Sequence, residues 1–301
     1  MYIKQKFAIF LVLILAACNN MEVPILEENP PEFDGQNAFK QVANQVSLGP
    51  RYPGSEGHQK VQEYIKEELE RFGWMVDIQL KDVSGKNVNN IIAYRQNVDL
   101  NEPSWIILGA HYDTRLVSER DLDPDQQSEP GIGANDGASG VAVLLELARV
   151  LPKLQNSDVW LVFFDAEDNG RIPGWDWVMG STVFVESLTT HPDKVVIVDM
   201  VGDKDQDIYI EKSSDPDLTA EIWNVASGLG ISTFLPEPKH QILDDHTPFL
   251  MAGIPAIDII DFNYPHWHTT QDTLDKISAQ SLKNVGDVLF FWLVQKEISI
   301  D

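Results

Sequence analysis

The stretch VFFDAEDNG, residues 162–170, starts in an apolar run and ends in two adjacent carboxylates, Glu167 and Asp168. The apolar run from 159 to 164 predicts a strand that is buried on both faces. In an open α/β sheet, ligands bind at the carboxyl ends of the strands, where these two acids would lie. One carboxylate of such a pair can bind a metal while the other moves a proton. An isolated pair is more often a solvated acidic turn, so the interpretation depends on the rest of the chain.

Predicted strands and helices alternate on either side of this stretch. The hydrophobic patterns indicate further strands at 75–80, 88–94, 104–110, 194–198, 207–211 and 254–260. They indicate helices at 36–48, 55–72, 141–150, 180–188, 218–228 and 282–295. This alternation favours an α/β fold, a three-layer α/β/α sandwich around a mostly parallel mixed sheet. His58, at a helix start away from any polar cluster, is predicted to be a surface residue.

Length and charge narrow the classes of function. The 301 residues suit a signal segment followed by one large α/β domain at 36–301, and two small domains are the alternative. The formal net charge of −25 argues against nucleic acid as a partner, because phosphates would be repelled. It would favour cationic groups, such as the free amino termini of peptides. A soluble acidic surface explains the charge equally well.

The N-terminus is typical of an exported protein. Residues 1–17 combine a basic start with a short apolar core and small residues, which predicts a signal peptide. Cys18 follows Leu-Ala-Ala and is the only cysteine of the chain, so the segment resembles a bacterial lipobox. We expect lipidation at Cys18, a polar tether over 18–35, and a lipoprotein on the periplasmic or extracellular face of a membrane. The lipid would be its only membrane contact, and plain secretion is the alternative.

Polar side chains recur where four of the predicted strands end. Asp136 lies between two of these ends, in the Gly-rich segment 131–140. The strand-end residues are His111, Glu167 with Asp168, Asp199 and, beyond the last strand, His268. Each alone has an ordinary structural explanation, since acids cap helices and a lone histidine is usually structural. Together, two histidines with Asp and Glu form a ligand set that Zn²⁺ accepts when cysteine is absent.

These pieces resemble, in order, the M28 family of zinc aminopeptidases and glutaminyl cyclases. The matching segments are 111–113, 133–140, 164–168, 198–200 and 267–269. The resemblance implies a zinc-exopeptidase-like fold, with Asp136, Asp168 and His268 as zinc ligands and Glu167 as the general base. His111 and Asp199 fall where two-metal members hold a second zinc. The position of Asp168 is more often Glu in these relatives, and a shorter side chain there would alter the metal geometry.

Three local features resemble the bacterial glutaminyl cyclases that are related to the animal enzyme. Trp267 directly precedes His268, and the segment 171–180 carries Trp175 and Trp177. The segment 244–250 is similar to one that supplies an acidic hydrogen-bond partner to the catalytic carboxylate. The resemblance therefore implies that Glu167, Asp199 and Asp245 are catalytic and that the three tryptophans bind substrate. The tryptophans could also simply pack a loop over the sheet edge.

The expected activity is conversion of an N-terminal glutamine to pyroglutamate, with release of ammonia and one zinc ion. The alternative is an aminopeptidase that removes N-terminal residues and uses two zinc ions, since His111 and Asp199 are both present. Peptide or protein N-termini are the substrate in either case. A third class, a binding module that has lost its metal, would lack ligands, and every expected ligand is present.

Overall fold

A computed structural model describes residues 32–95 and 104–298, with side chains described as far as residue 295. The predicted signal peptide, Cys18 and most of the predicted tether lie outside the described residues. One compact unit begins at Phe33, three residues before the predicted start of the catalytic domain. Phe33 is only 2% exposed, and its ring lies over Gly286 of the last helix. An aromatic residue among prolines and acids therefore belongs to the core, where the polar pattern suggested a tether.

The centre of the fold is a six-stranded mixed sheet with the strand order β1-β2-β4-β3-β5-β8. Its strands are β1 Met75–Val83, β2 Lys86–Tyr94, β3 Ser104–His111, β4 Ser157–Phe164, β5 Lys194–Asp199 and β8 Ala256–Ile260. The pairings β3–β4, β3–β5 and β5–β8 are parallel, whereas β1 and β2 join the sheet antiparallel. A separate pair of parallel strands is formed by β6 Ile208–Ile210 and β7 Phe234–Pro238.

Helices cover both faces of the sheet, as predicted for a three-layer sandwich. They are α1 Gly35–Ser47, α2 Glu56–Arg71, α3 Ala138–Val150, α4 Met179–Ser187, α5 Pro216–Gly228, α6 His246–Met251 and α7 Ala279–Ile298. Alternate residues of β3 illustrate the two faces. Ile106 and Leu108 pack into the core under α1, α2, α3, α5 and α7, and Ile107 packs into the core under α4 and α6. Among the described residues, no helix is long and apolar enough to cross a membrane.

Most predicted elements are confirmed within a few residues, and three differences have clear causes. The last helix is longer than the predicted 282–295 at both ends: it begins at Ala279, where Ser278 and Ser281 hydrogen-bond in its first turn, and it ends at Ile298. Strand β7 was missed because its sequence FLPEP contains two prolines, which argue against a strand. The prediction for His58 is wrong: it is 4% exposed, and its Nε2 lies 2.7 Å from Asp165 Oδ1.

The parallel strands bring the predicted site to one edge of the sheet. Helix α3 approaches this edge closely because Gly140 has no side chain, and a Cβ there would overlap the carbonyl oxygen of Val198 in β5. The Gly-rich segment before α3 therefore lies directly above the carboxyl ends of β3 and β5.

Candidate active site

The carboxyl edge of the sheet gathers the predicted metal ligands into two overlapping groups. The first consists of Asp136, Asp168 and His268, which are all buried and whose ligand atoms lie within 4.8 Å of one another. His268 Nε2 is 2.8 Å from Asp168 Oδ1 and 3.9 Å from Asp136 Oδ2. The other oxygen of Asp168, Oδ2, is buried without a hydrogen-bond partner. An unpartnered buried carboxylate oxygen is costly, and a metal ion would satisfy it.

The second group is formed by His111, Asp136 and Asp199, again with all ligand atoms within 4.8 Å. His111 Nε2 lies 3.1 Å from Asp199 Oδ1 and 3.2 Å from Asp136 Oδ1. The two oxygens of Asp136 therefore face different histidines, and this residue is common to both groups. A third buried group in the described part of the chain is Asp244, His246 and Asp258, which the sequence did not suggest.

Asp113 positions the adjacent acids Glu167 and Asp168. Its Oδ1 accepts a hydrogen bond from the backbone N–H of Glu167 at 3.0 Å, and its Oδ2 accepts one from that of Asp168 at 3.3 Å. It also lies 3.4 Å from His111 Nδ1. The same carboxylate thus fixes both the acidic pair and one imidazole. In the sequence, Asp113 was marked only by its position at a strand end, two residues after His111, within the segment 111–113 that resembles the M28 family.

Asp272 plays the corresponding part for the Gly-rich segment. Its carboxylate accepts hydrogen bonds from the backbone N–H groups of Asn135 and Asp136, at 2.8 and 3.0 Å, and from the hydroxyl of Tyr264 at 2.7 Å. These bonds hold Asp136 against the two histidines. No sequence pattern indicates this role, because Asp272 lies in a polar segment without hydrophobic periodicity.

Glu119 is a further site residue that the sequence did not reveal. Its Oε1 lies 3.0 Å from His268 Nδ1, and Arg115 donates to the same carboxylate. Burial would raise the pKa of Glu119, but the hydrogen bonds to His268 and Arg115 lower it to about 2. A carboxylate on Nδ1 fixes the imidazole so that Nε2 faces the first ligand group.

The pKa of His268 is determined by the acidic residues around it. Burial alone would lower its pKa, but Asp168, Glu119 and Asp136 outweigh burial and raise the pKa to about 9. For Asp168, burial and then the charge of Asp136 raise the pKa to about 6. The first ligand group therefore favours a bound cation, whether a proton or a metal ion.

Strained backbone accompanies the site. Ala166, Met200 and His268 have positive φ angles of 52°, 46° and 57°, a region that residues other than glycine rarely adopt. His268 is itself a predicted zinc ligand, and Ala166 and Met200 are each adjacent in the chain to a predicted catalytic acid. Such strain costs on the order of 1 kcal/mol per residue and is typical of functional sites.

Of the adjacent acids Glu167 and Asp168, Glu167 is the one that belongs to neither ligand group. Its side chain is buried, and its nearest histidine atom is His111 Nδ1, 4.0 Å from Oε2. Burial raises the pKa of Glu167 well above its ordinary value, and Asp244 and Asp168 add to the increase against the opposing effect of His111. A carboxyl group with a raised pKa can both accept and return a proton near neutral pH.

The structure distinguishes Asp244 from Asp245, to which the sequence assigned the role of acidic partner. Asp245 is fully buried, and its Oδ1 accepts a 2.5 Å hydrogen bond from the hydroxyl of Ser181 in α4. Asp244 instead lines the cavity beside Glu167 and Asp199. Burial and then Asp199 raise the pKa of Asp244 to about 7. Burial also raises the pKa of Asp199, against the lowering effect of His111.

A cavity of about 570 Å³ opens above these acids. Buried carboxylates form its floor, and aromatic side chains stand at its sides. The residues at the floor are Asp136, Glu167, Asp168, Asp199 and Asp244. Trp267 and Trp177 both line the cavity, and their ring centroids lie 3.9 Å and 6.1 Å from that of His268.

Trp175, the third predicted substrate-binding tryptophan, does not line this cavity. Its indole lies under the ammonium group of Lys86, 4.4 Å from the ring centroid, and packs against Val88 and Met179. Two tryptophans separated by one residue in an irregular segment point in different directions. Only Trp177 is directed to the site.

Comparisons with known proteins identify a family and several similar chains. A profile of peptidase family M28 matches residues 90–293. The glutaminyl-peptide cyclotransferase of Bothrops jararaca is 24% identical over 293 residues, which cover 81% of this chain and 77% of that protein. The crystal structure of Bacteroides thetaiotaomicron glutaminyl cyclase bound to N-acetylhistamine matches with a TM-score of 0.80 and 33% identity, covering 88% of this chain and 99% of that chain.

A leucine aminopeptidase precursor from the same bacterium is equally similar. Its crystal structure matches with a TM-score of 0.81 and 33% identity, covering 88% of this chain and 98% of that chain. The family profile spans most of the sheet and every residue of the two overlapping ligand groups. The chain therefore belongs to peptidase family M28.

Proposed function

We propose that this protein is a zinc-dependent glutaminyl cyclase that converts N-terminal glutamine of peptides or proteins to pyroglutamate and releases ammonia. The observation that carries the proposal is the position of Glu167. It is a buried carboxylate outside the first ligand group, at the floor of a cavity lined by Trp177 and Trp267. The similarity to glutaminyl cyclases over most of both chains supports the same activity.

The first ligand group fits zinc. Two carboxylates and one imidazole are an N/O ligand set that Zn²⁺ accepts, with a fourth position left for substrate. Asp136, Asp168 and His268 would hold the ion, and the unpartnered Oδ2 of Asp168 would gain a partner. Bound zinc would polarise the side-chain amide carbonyl of the glutamine.

Glu167 moves the proton in this proposal. The α-amine nitrogen attacks the side-chain amide carbon, and Glu167 accepts the proton that the amine loses. As the bond from that carbon to the amide nitrogen breaks, Glu167 returns the proton and ammonia leaves. The atoms balance without a further reactant. Burial, with Asp244 beside Glu167 at the floor, would keep the pKa of Glu167 raised, and Asp199 in turn raises the pKa of Asp244. We therefore assign to Asp244 the role first given to Asp245.

Trp177 and Trp267 would exclude water from the reacting amide. Attack by water would give glutamate in place of pyroglutamate, so a cyclase needs apolar walls that fold the glutamine on itself. The Trp267 indole packs on Phe262, with ring centroids 4.8 Å apart, which fixes one wall.

An aminopeptidase is the second candidate because His111, Asp136 and Asp199 form another complete ligand group. Two zinc ions that share Asp136 could activate a water molecule for peptide hydrolysis. The similarity to the leucine aminopeptidase precursor is consistent with this reading.

A pair of peptides separates the two candidates. The domain from residue 27 onward, supplied with zinc, would be incubated with a Gln-initiated and a Leu-initiated peptide and analysed by mass spectrometry. We expect the Gln peptide to lose ammonia and the Leu peptide to remain intact. Removal of the first residue from the Leu peptide would instead establish an aminopeptidase and make His111 and Asp199 ligands of a second zinc.

The contact between Glu119 and His268 leads to a prediction about zinc affinity. We expect Glu119→Gln to weaken zinc binding by about 10-fold or more, because the neutral amide holds the imidazole less firmly. Competition with a chromogenic chelator would measure the change. Glu129→Gln is the matched control: Glu129 is exposed in the same connection between β3 and α3, and its replacement should leave zinc affinity unchanged. Equal affinity in both variants would remove Glu119 from the site.

The location remains a prediction from the sequence. We propose an exported lipoprotein, with lipid on Cys18 as its only membrane contact, on the periplasmic or extracellular face. The support is the composition of residues 1–18, and that segment lies outside the described residues.

A further inference from the structure

The mouth of the active-site cavity is positively charged, in contrast to the chain as a whole. The protein carries a formal net charge of −25, yet two exposed arginines, Arg120 and Arg171, line the cavity. They also line an adjoining cavity of about 450 Å³ on the other side of Trp177 and Trp267. Both guanidinium groups therefore stand where a bound peptide would leave the site.

Arg120 is held in place by an aromatic ring. Its guanidinium carbon lies 4.0 Å from the centroid of the Trp267 ring, and its backbone N–H donates to the carbonyl oxygen of His268 at 3.1 Å. The stacking orients the charge without neutralising it. No described carboxylate forms an ion pair with Arg120, so its hydrogen-bond donors remain for a ligand.

Arg171 also lines the mouth, and its backbone is in a strained conformation. Its φ angle is 64°, in the left-handed region, and the described residues provide it with no ion pair. Asp176 is the one exposed carboxylate that lines the cavity above the acids, and the other carboxylates of that cavity lie buried at its floor. In the adjoining cavity the exposed carboxylate is Glu119, which is paired with Arg115. Two arginines against one aspartate leave the mouth with an excess of positive charge.

We infer that Arg120 and Arg171 bind an acidic side chain in the first two residues that follow the N-terminal glutamine. The inference rests on the proposed function and specifies its substrate class, peptides with acidic N-terminal sequences. The glutamine must reach Glu167 and the ligand group at the floor, so the next residues lie near the two exposed arginines that line the cavity. Without these arginines, the negative protein would repel such peptides.

Three peptides that differ in one residue would test the preference. They begin with Gln-Glu, Gln-Ala and Gln-Lys and are otherwise identical, and kcat/KM is measured for each with the zinc-loaded enzyme. We expect the Gln-Glu peptide to exceed the Gln-Lys peptide by about fivefold or more, mainly through KM. The preference should decrease as the salt concentration rises, because salt screens exposed charges.

Charge reversal at the mouth should reverse the preference. Arg171→Glu is expected to raise kcat/KM for the Gln-Lys peptide above that for the Gln-Glu peptide. Arg120→Lys, which keeps the charge, should retain most of the preference. Lys153→Glu is the control for net charge, since Lys153 is exposed between α3 and β4, at the opposite edge of the sheet.

The outcomes separate this inference from the proposed function. Turnover of all three peptides at equal kcat/KM, or a preference that Arg171→Glu does not change, would overturn the inference alone. A shift of the same size in Lys153→Glu would also overturn it, because the effect would then come from net charge. Absence of ammonia release from every peptide would overturn the proposed function and the inference with it.

Discussion

Replacement of Glu167 by glutamine is expected to lower kcat for N-terminal glutamine about 1,000-fold and to leave the zinc content unchanged. The amide has nearly the same shape as the carboxylate but cannot accept a proton from the α-amine. Because Glu167 is not in the first ligand group, its replacement removes no zinc ligand. Ammonia release and elemental analysis of the same preparation would measure the two quantities.

The variant should also fold normally, which makes the result interpretable. Burial and the acids Asp244 and Asp168 disfavour the charged form of Glu167 in the folded protein. A neutral amide avoids that cost, so we expect no decrease in the free energy of unfolding. Glu186→Gln, an exposed position on α4, is the control for the substitution itself and should keep full activity. Turnover at the wild-type rate in Glu167→Gln would show that another group is the base.

Hydrophobic patterning could predict the sheet and the edge at which the site lies. Apolar runs such as those of β4 and β5 predict buried strands. Polar residues that follow several parallel strands lie at the same edge of the sheet. The family resemblance then implied which of these residues bind metal. Neither source predicted the supports, because Asp113, Glu119 and Asp272 act through contacts between segments distant in the chain.

The directions of individual side chains also could not be predicted from the sequence. Asp244 and Asp245 are neighbours of the same type, but Asp245 accepts a hydrogen bond from Ser181 whereas Asp244 lines the cavity. Likewise, Trp177 lines the cavity and Trp175 does not. His58 was misassigned because its partner, Asp165, lies 107 positions later in the chain.

Removal of the His268 imidazole should abolish zinc binding at the first ligand group. Asp136 and Asp168 would remain as two carboxylates without the nitrogen ligand, so we expect His268→Ala to weaken affinity well beyond the roughly 100-fold effect of losing an outer partner. Turnover should disappear with the metal. Zinc per chain, measured by elemental analysis after dialysis, would be the primary readout, and unchanged zinc would exclude His268 as a ligand.

Thermal unfolding gives an independent measure of the same site. A ligand that binds only the folded state stabilises it, by about 4 kcal/mol at a free concentration 1,000 times Kd. Zinc should therefore raise the Tm of the wild type and have little effect on His268→Ala. His111→Ala is the matched comparison, because His111 belongs only to the second group. A cyclase with one zinc would retain its metal in His111→Ala, whereas loss of one zinc from each variant would indicate the two-metal site of an aminopeptidase.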